Sequence, residues 1–336
     1  MAHGNVAHDS ITATYGGANL NEIFYEPVFR SDDIMRNYRV IPNVKHVMNV
    51  YTAAALTKIV EVYSTCSATS GTNQFDLSDK VITAGRCRVA LEQCTDEFFG
   101  TFIEESYRSG ADVMNIEGTQ LADAIVNRAV KGIASDVVRL AWGGDVTGAV
   151  PGYAVFNGWM NLMAAETVLT VDAVAPADPS AANALALIMK IYDAAPAALQ
   201  QVPAADKKIF VTPKLYNAYL QNLEGNGADL AIVNRVDGAP RVSFRGVELV
   251  AMYEWNTILT DTNPALFLNG TTNFTEGACY TAVENLIIGS DVTDPEGSFK
   301  VFYDDLEEKM FFRGYFKLGV QYLYSSLVQW GLVIAA

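Results

Sequence analysis

The chain has 336 residues, half of them hydrophobic and 18% charged, a globular composition long enough for one large or two ordinary domains. Lys and Arg number 23 against 38 Asp and Glu, and a formal net charge of −15 argues against a basic groove wrapping DNA. Residues 1–20 lack the apolar stretch of a signal peptide, and no apolar run reaches the roughly 18 residues of a membrane-spanning helix.

Residues 1–44 show no clear periodicity. Gly16-Gly17, scattered Asn and Pro42 predict an extended arm, whose few apolar groups (Ile23, Phe24, Tyr25, Phe29) need cover from the chain's own core or from another subunit. Residues 46–63 are β-branched and aromatic, with Val47, Val50, Tyr51, Ile59, Val60 and Tyr63, and predict a strand. A polar loop follows from Ser64 to Asp79. Residues 81–92 then alternate, with Val81, Thr83, Gly85, Cys87, Val89 and Leu91 on one side. Ile82, Ala84, Arg86, Arg88, Ala90 and Glu92 take the other. The two runs predict a long β-hairpin arm with a charged outer face.

Thr95-Asp96-Glu97 opens a predicted helix to about Arg108, with acids in its first turn. Residues 117–142 carry the longest helical signal. Leu121, Ile125, Ala129, Ile133, Val137 and Leu140 recur at three- and four-residue spacing, and Gly143-Gly144 ends the pattern. At ~1.5 Å per residue this is a rod roughly 40 Å long.

Residues 149–179 are loop-rich around a buried-looking patch at Phe156, Trp159 and Met160. Ser180 is the expected cap of a helix over 181–194. Lys208 to Thr212 reads as a short buried strand, and Pro213 starts a helix over 213–223. Strands are predicted at 242–252, 265–268 and 280–289, so the middle of the chain reads as a single mixed α/β unit. After an acidic loop, Ser290–Gly297, Phe299, Val301 and Tyr303 alternate. A turn at 304–308 leads to a long strand with Phe312, Phe316, Leu318, Val320, Tyr322 and Tyr324 on one face. Arg313, Lys317 and Gln321 lie on the other.

Signatures of chemistry are few. Phosphate-loop, nucleophile-elbow and H-E-x-x-H motifs are absent, and the three histidines (His3, His8, His46) all lie in the first 46 residues. Cys66, Cys87, Cys94 and Cys279 contain no C-x-x-C pair and read as buried or free thiols. Asp291-Val-Thr-Asp294-Pro-Glu296 lacks calcium-loop spacing, with Phe302 where a bidentate Glu belongs. Trp159, Trp255 and Trp330 read as core or interface anchors. No catalytic, cofactor-binding or metal-binding residue is expected.

The predicted arm, two-stranded loop, rod helix, α/β unit and returning hairpin, in that order, resemble the HK97-like fold of tailed-phage major capsid proteins. Three segments carry the resemblance residue by residue: Phe244-Arg-Gly-Val-Glu-Leu-Val250, Glu284-Asn-Leu-Ile-Ile-Gly-Ser-Asp291, and Phe312-Arg-Gly-Tyr-Phe-Lys-Leu-Gly-Val-Gln321. Glu248 stands where the family often has Pro.

The resemblance implies an α+β chain with an N-terminal arm (1–44), an extended loop (45–93), a peripheral domain containing the spine helix (94–179 and 286–336) and an axial domain (180–285). It implies a non-enzymatic subunit that assembles into hexamers and pentamers of an icosahedral head, enclosing double-stranded DNA without sequence-specific binding. Such a chain belongs to the virion after assembly in the bacterial cytoplasm. Its implied partners are its own copies, a portal, a separate scaffolding protein and a decoration protein, with no cofactor and no membrane.

Lys58, Glu61, Arg86 and Arg88 are the expected inter-subunit contacts, the arginines pairing with acids of a neighbour's spine or hairpin. The family includes a variant that crosslinks a Lys to a neighbour's Asn. Lys58 and Lys80 lie in or near the loop, but no motif licenses a crosslink, and they read as surface lysines. The sequence leaves open an encapsulin-like compartment shell, a cytosolic α/β enzyme, and a tail-tube or decoration protein.

Overall fold

The computed structural model describes residues 32–53, 77–94, 120–148, 150, 152–165, 179–225, 234–236, 239–260, 274–291, 299–304 and 309–334. In chain order these hold α1 (Asp32–Asn37), β1 (Arg39–Ile41), β2 (Val47–Ala53), β3 (Leu77–Thr83), β4 (Gly85–Cys94), α2 (Gln120–Gly143), α3 (Trp159–Ala165), α4 (Ala184–Asp193) and α5 (Ala197–Gln201). There follow β5 (Lys207–Val211), α6 (Pro213–Gly225), β6 (Asn234–Val236), β7 (Ala239–Arg241), β8 (Ser243–Phe244), β9 (Val247–Ala251) and α7 (Tyr253–Thr260). The chain continues with β10 (Phe274–Ala282), β11 (Leu286–Ser290), β12 (Phe299–Asp304), β13 (Lys309–Tyr322) and β14 (Val328–Ile334).

Two five-stranded sheets organise these elements. The first has the order β1-β11-β13-β12, with β4 also paired to β13; the second runs β14-β10-β5-β9-β8. β13 is the long strand its alternation predicts. Phe312, Phe316, Leu318, Val320 and Tyr322 are buried on one face, while Arg313 and Tyr315 on the other are exposed. The rod helix also forms as expected: Ile133, Val137, Leu140 and Ala141 of α2 are buried and Gly143 ends it.

The core between the sheets is aromatic. Trp142, Trp159, Trp255 and Trp330 are almost wholly buried, and Trp142 meets the other three edge-on at centroid distances of 4.9 to 5.8 Å. Tyr38 stacks on Phe210 of β5, and the Trp142 indole N–H donates to its hydroxyl at 2.9 Å. The end of the expected arm is therefore covered by the chain's own core. Residues 32–44 form α1 and β1, bury Ile34, Tyr38 and Val44, and add a parallel strand beside β11.

Several expected elements break where the chain changes sheet. The strand expected over 81–92 is two strands. β3 pairs with β2, but β4 pairs with β13, Arg86 opposite Lys317 and Arg88 opposite Tyr315. Buried positions shift phase, from Ile82 and Ala84 to Cys87, across Gly85, which lies against the Val155 carbonyl where no Cβ fits. The strand expected over 280–289 likewise splits at a turn, Val283–Asn285, with β10 in the second sheet and β11 in the first. The C-terminal stretch, assigned with 286–336 to the peripheral domain, forms β14, which joins the second sheet through β10.

The strand expected over 242–252 is a hairpin. Arg245 (φ 49°) and Gly246 (φ 83°) form its two-residue turn, both left-handed as such turns require. Ser180 does not cap through its hydroxyl: the N-cap of α4 is Asn183, whose Oδ1 accepts the Ser180 N–H at 2.7 Å. The loop-rich stretch 149–179 contains α3, whose Trp159 and Met160 are fully buried. The helix expected to Arg108, the strand at 265–268 and the acidic loop beyond Asp291 lie outside the described residues.

Candidate assembly surface

The β2–β3 hairpin has two unlike faces. Toward the protein, Ile82 is fully buried with Val44, Ala84 and Ile287. Gln321 Nε2 donates to the Val81 carbonyl at 2.9 Å, and Lys80 Nζ sits 3.6 Å from the centre of the Tyr322 ring. The Ala53 N–H donates to the Tyr324 hydroxyl at 3.3 Å. The described stem of the expected projecting loop is thus docked on its own first sheet.

The other face is open and largely apolar. Cross-strand partners share a face, and the pairs Ala53↔Leu77, Tyr51↔Asp79 and Asn49↔Val81, continued by Val47, place five apolar side chains on it around a polar Asn49–Asp79 contact at 3.5 Å. Tyr51 and Leu77 are 71% and 70% exposed. An apolar ribbon face left in water is the signature of a surface meant to be covered.

A second patch lies on the solvent face of β4 and β13. Arg86 and Arg88 are exposed there with Arg313 and Tyr315. Arg86 stands directly opposite Lys317, a like-charge pair that costs a sheet stability. Lys317 Nζ donates to the Lys45 carbonyl, and Asp291 Oδ1 accepts the Lys317 backbone N–H at 2.7 Å. At the far end Glu92 stands 4.0 Å from Lys309. Among the described residues no carboxylate is paired with Arg86 or Arg88.

These two arginines are the expected contact residues, but they do not sit on the projecting hairpin; they belong to β4. Lys58 and Glu61 lie outside the described residues. Tyr51, Leu77 and Tyr315 join the surface without having been expected there. Their signal is an apolar or aromatic residue at an outward-facing position of a strand, visible only once the inward phase is known.

No group of three or more His, Cys, Asp or Glu stands close enough to share a metal ion among the described residues. Burial pushes the Cys87 thiol up to about 12, with the Asp291 charge adding to the effect, and burial also raises Cys279. Both are inert neutral thiols at neutral pH. No helix among the described residues is long and apolar enough to cross a membrane.

No family model matches the sequence, and no curated protein matches it. Solved structures do. A chain of the satellite phage P4 procapsid, a structure that includes the size determination (Sid) protein, is 12% identical, with 92% of this chain and 97% of that chain covered and a TM-score of 0.54. A chain from Gordonia phage Cozz is 10% identical, with 91% and 87% covered and a TM-score of 0.49. One from the capsid of an empty GTA particle is 12% identical, with 92% and 90% covered and a TM-score of 0.48. At such identities the likeness is one of fold, carried by the procapsid chain: this protein has the α+β fold of HK97-like phage capsid proteins.

Proposed function

We propose that this chain is the major capsid protein of a tailed phage, a structural subunit rather than an enzyme. Its copies assemble into hexamers and pentamers of an icosahedral head that encloses double-stranded DNA without reading its sequence. The observation that carries this reading is the likeness to a procapsid chain along 92% of this chain and 97% of the other.

Two features of the surface support it. The outward face of the β2–β3 hairpin exposes apolar side chains that a neighbouring copy would remove from water, at ~25 cal/mol per Å². Arg86 and Arg88 present charge to match acidic groups on another copy of a chain whose net charge is −15. Each contact is modest, but closed symmetry repeats it around the shell, so avidity holds the particle together. Lys58 and Glu61 are further proposed inter-subunit contacts. Portal, scaffolding and decoration proteins are the further partners of such a subunit, with the virion as its site.

Negative-stain microscopy and size-exclusion chromatography of the purified chain test the reading. Closed shells are expected. A compact monomer favours an enzyme, open tubes favour a tail protein, and small shells packed with protein cargo favour an encapsulin-like compartment; each of these counts against a phage head.

A further inference from the structure

Glu248 on β9 lies opposite Lys208 on β5 in parallel register, and Lys208 Nζ stands 3.4 Å from Glu248 Oε2. The other carboxylate oxygen, Oε1, accepts from the Arg36 guanidinium on α1 at 2.5 Å. Asn37, the next residue of α1, accepts from Lys208 Nζ through its side-chain oxygen. One carboxylate of the second sheet is therefore shared between a cation of its own sheet and a cation of the N-terminal helix. The Lys208 side chain is only 5% exposed, whereas Arg36 is 35% exposed.

The helix is not a passive passenger on that sheet. Tyr38, directly after α1, is buried in the tryptophan core, and β1 pairs with β11 of the first sheet. The ion network thus ties the start of the first sheet to the middle of the second. Strand geometry alone does not call for a charge at 248, which sits between buried Val247 and buried Leu249. Its position under α1 and over Lys208 does.

We infer that Arg36, Glu248 and Lys208 form a clamp that fixes α1, and with it the angle between the two sheets, at the curvature with which copies assemble. The inference rests on the capsid reading above. The β2–β3 and β4–β13 surfaces are carried with the first sheet, so a change in how that sheet sits against the second would tilt those contacts and alter the radius at which the shell closes. Arg36 is the positioning residue that can be removed cleanly. Arg36→Gln leaves the Lys208–Glu248 pair intact, whereas Glu248→Gln removes the charge that faces both cations at once.

The test compares the wild-type full chain with R36Q, with R36K, and with D193N, which removes an exposed ion pair, Asp193–Arg245, that does not involve α1. Hydrogen exchange is read at the Tyr38 amide, which bonds the Ile34 carbonyl at 2.9 Å, and particle diameter by electron microscopy. R36Q is expected to raise Tyr38 exchange by up to about fivefold, the reach of a part-exposed ion pair, and to shift or broaden the diameters. R36K and D193N should match the wild type. Folded R36Q that exchanges faster and no longer closes into shells supports the clamp equally. Wild-type exchange in R36Q overturns it, and faster exchange with unchanged diameters overturns its role in curvature. If the wild-type chain itself forms no closed particles, the capsid reading fails, and the Tyr38 exchange alone then decides whether the clamp exists.

Discussion

Asn285 and Tyr324 bond each other in both directions. Asn285 Nδ2 donates to the Tyr324 carbonyl at 3.0 Å, and the Tyr324 N–H donates to Asn285 Oδ1 at 2.8 Å. Asn285 lies between β10 and β11, and Tyr324 between β13 and β14. Both passages lead from one sheet to the other, so a single buried amide ties two crossovers together.

Replacing Asn285 with Ala leaves the Tyr324 N–H without its partner, while the Tyr324 carbonyl still accepts the Leu327 N–H at 3.2 Å. At ~1–3 kcal/mol for an unpaired group, the N285A chain should lose about that much stability. The urea midpoint of the unassembled chain measures this, and an unchanged midpoint would mean that Asn285 does not pin the crossovers.

Two glycines should respond oppositely to alanine. A Cβ at Gly319 would stand 2.6 Å from the Thr83 carbonyl oxygen, so G319A must push the β2–β3 hairpin off its sheet and destabilise the chain by ~1–3 kcal/mol. A Cβ at Gly132, exposed on α2, meets nothing within 4 Å. G132A should raise stability by up to about 1 kcal/mol. Thermal unfolding of the two variants side by side gives both signs in one experiment.

Tyr38→Phe removes the acceptor of the buried Trp142 N–H while keeping the ring that stacks on Phe210. A loss of ~1–3 kcal/mol is expected. Trp142→Ala, which empties the centre of the aromatic core, should cost ~3–5 kcal/mol. Equal effects of the two would mean that the hydrogen bond, not the packing, carries that site.

The Cys87 thiol supplies a pH dependence with a definite sign. Below its ordinary value of 9.0 it is neutral in the folded and unfolded chains alike. As pH rises from 9.0 toward about 12, the unfolded chain ionises this thiol and the folded one does not, so stability falls. Urea midpoints at pH 8 and pH 10 should show the fall, and C87A should reduce it. In the folded chain at pH 8, thiol reagents should leave Cys87 and Cys279 unmodified.

Much of this fold is legible in the sequence because two signals are strong. The 3.6-residue period of 117–142 and the 2-residue period of 312–322 each come from one buried face, and both elements form where the periods place them. The failures share a cause. Residues 81–92 and 280–289 each read as one strand, yet the first is interrupted at Ala84 and the second at Val283–Asn285, where the chain moves between sheets. Alternation reports that a strand is half-buried, not which strand it pairs with.

The segment Glu284–Asp291, one of the three that carry the family resemblance, has its physical reason only in three dimensions. Asn285 pins the crossover, Gly289 leaves room for Val44 and Ile82, and Asp291 holds the Lys317 backbone. The candidate surface is harder to read. Arg86 and Arg88 stand out as charges on a strand, but the outward apolar face of Tyr51 and Leu77 emerges only once Ile82 is known to point inward.

The most direct test of the capsid reading is electron microscopy of the purified full chain beside a variant with Tyr51 and Leu77 both changed to Ser. Changes at these exposed sites should alter monomer stability by no more than about 0.5 kcal/mol. Closed, uniform shells are expected from the wild-type chain, and folded, unassembled subunits from the variant. A wild-type chain that stays a compact monomer, or a variant that closes shells as readily as the wild type, would contradict the reading.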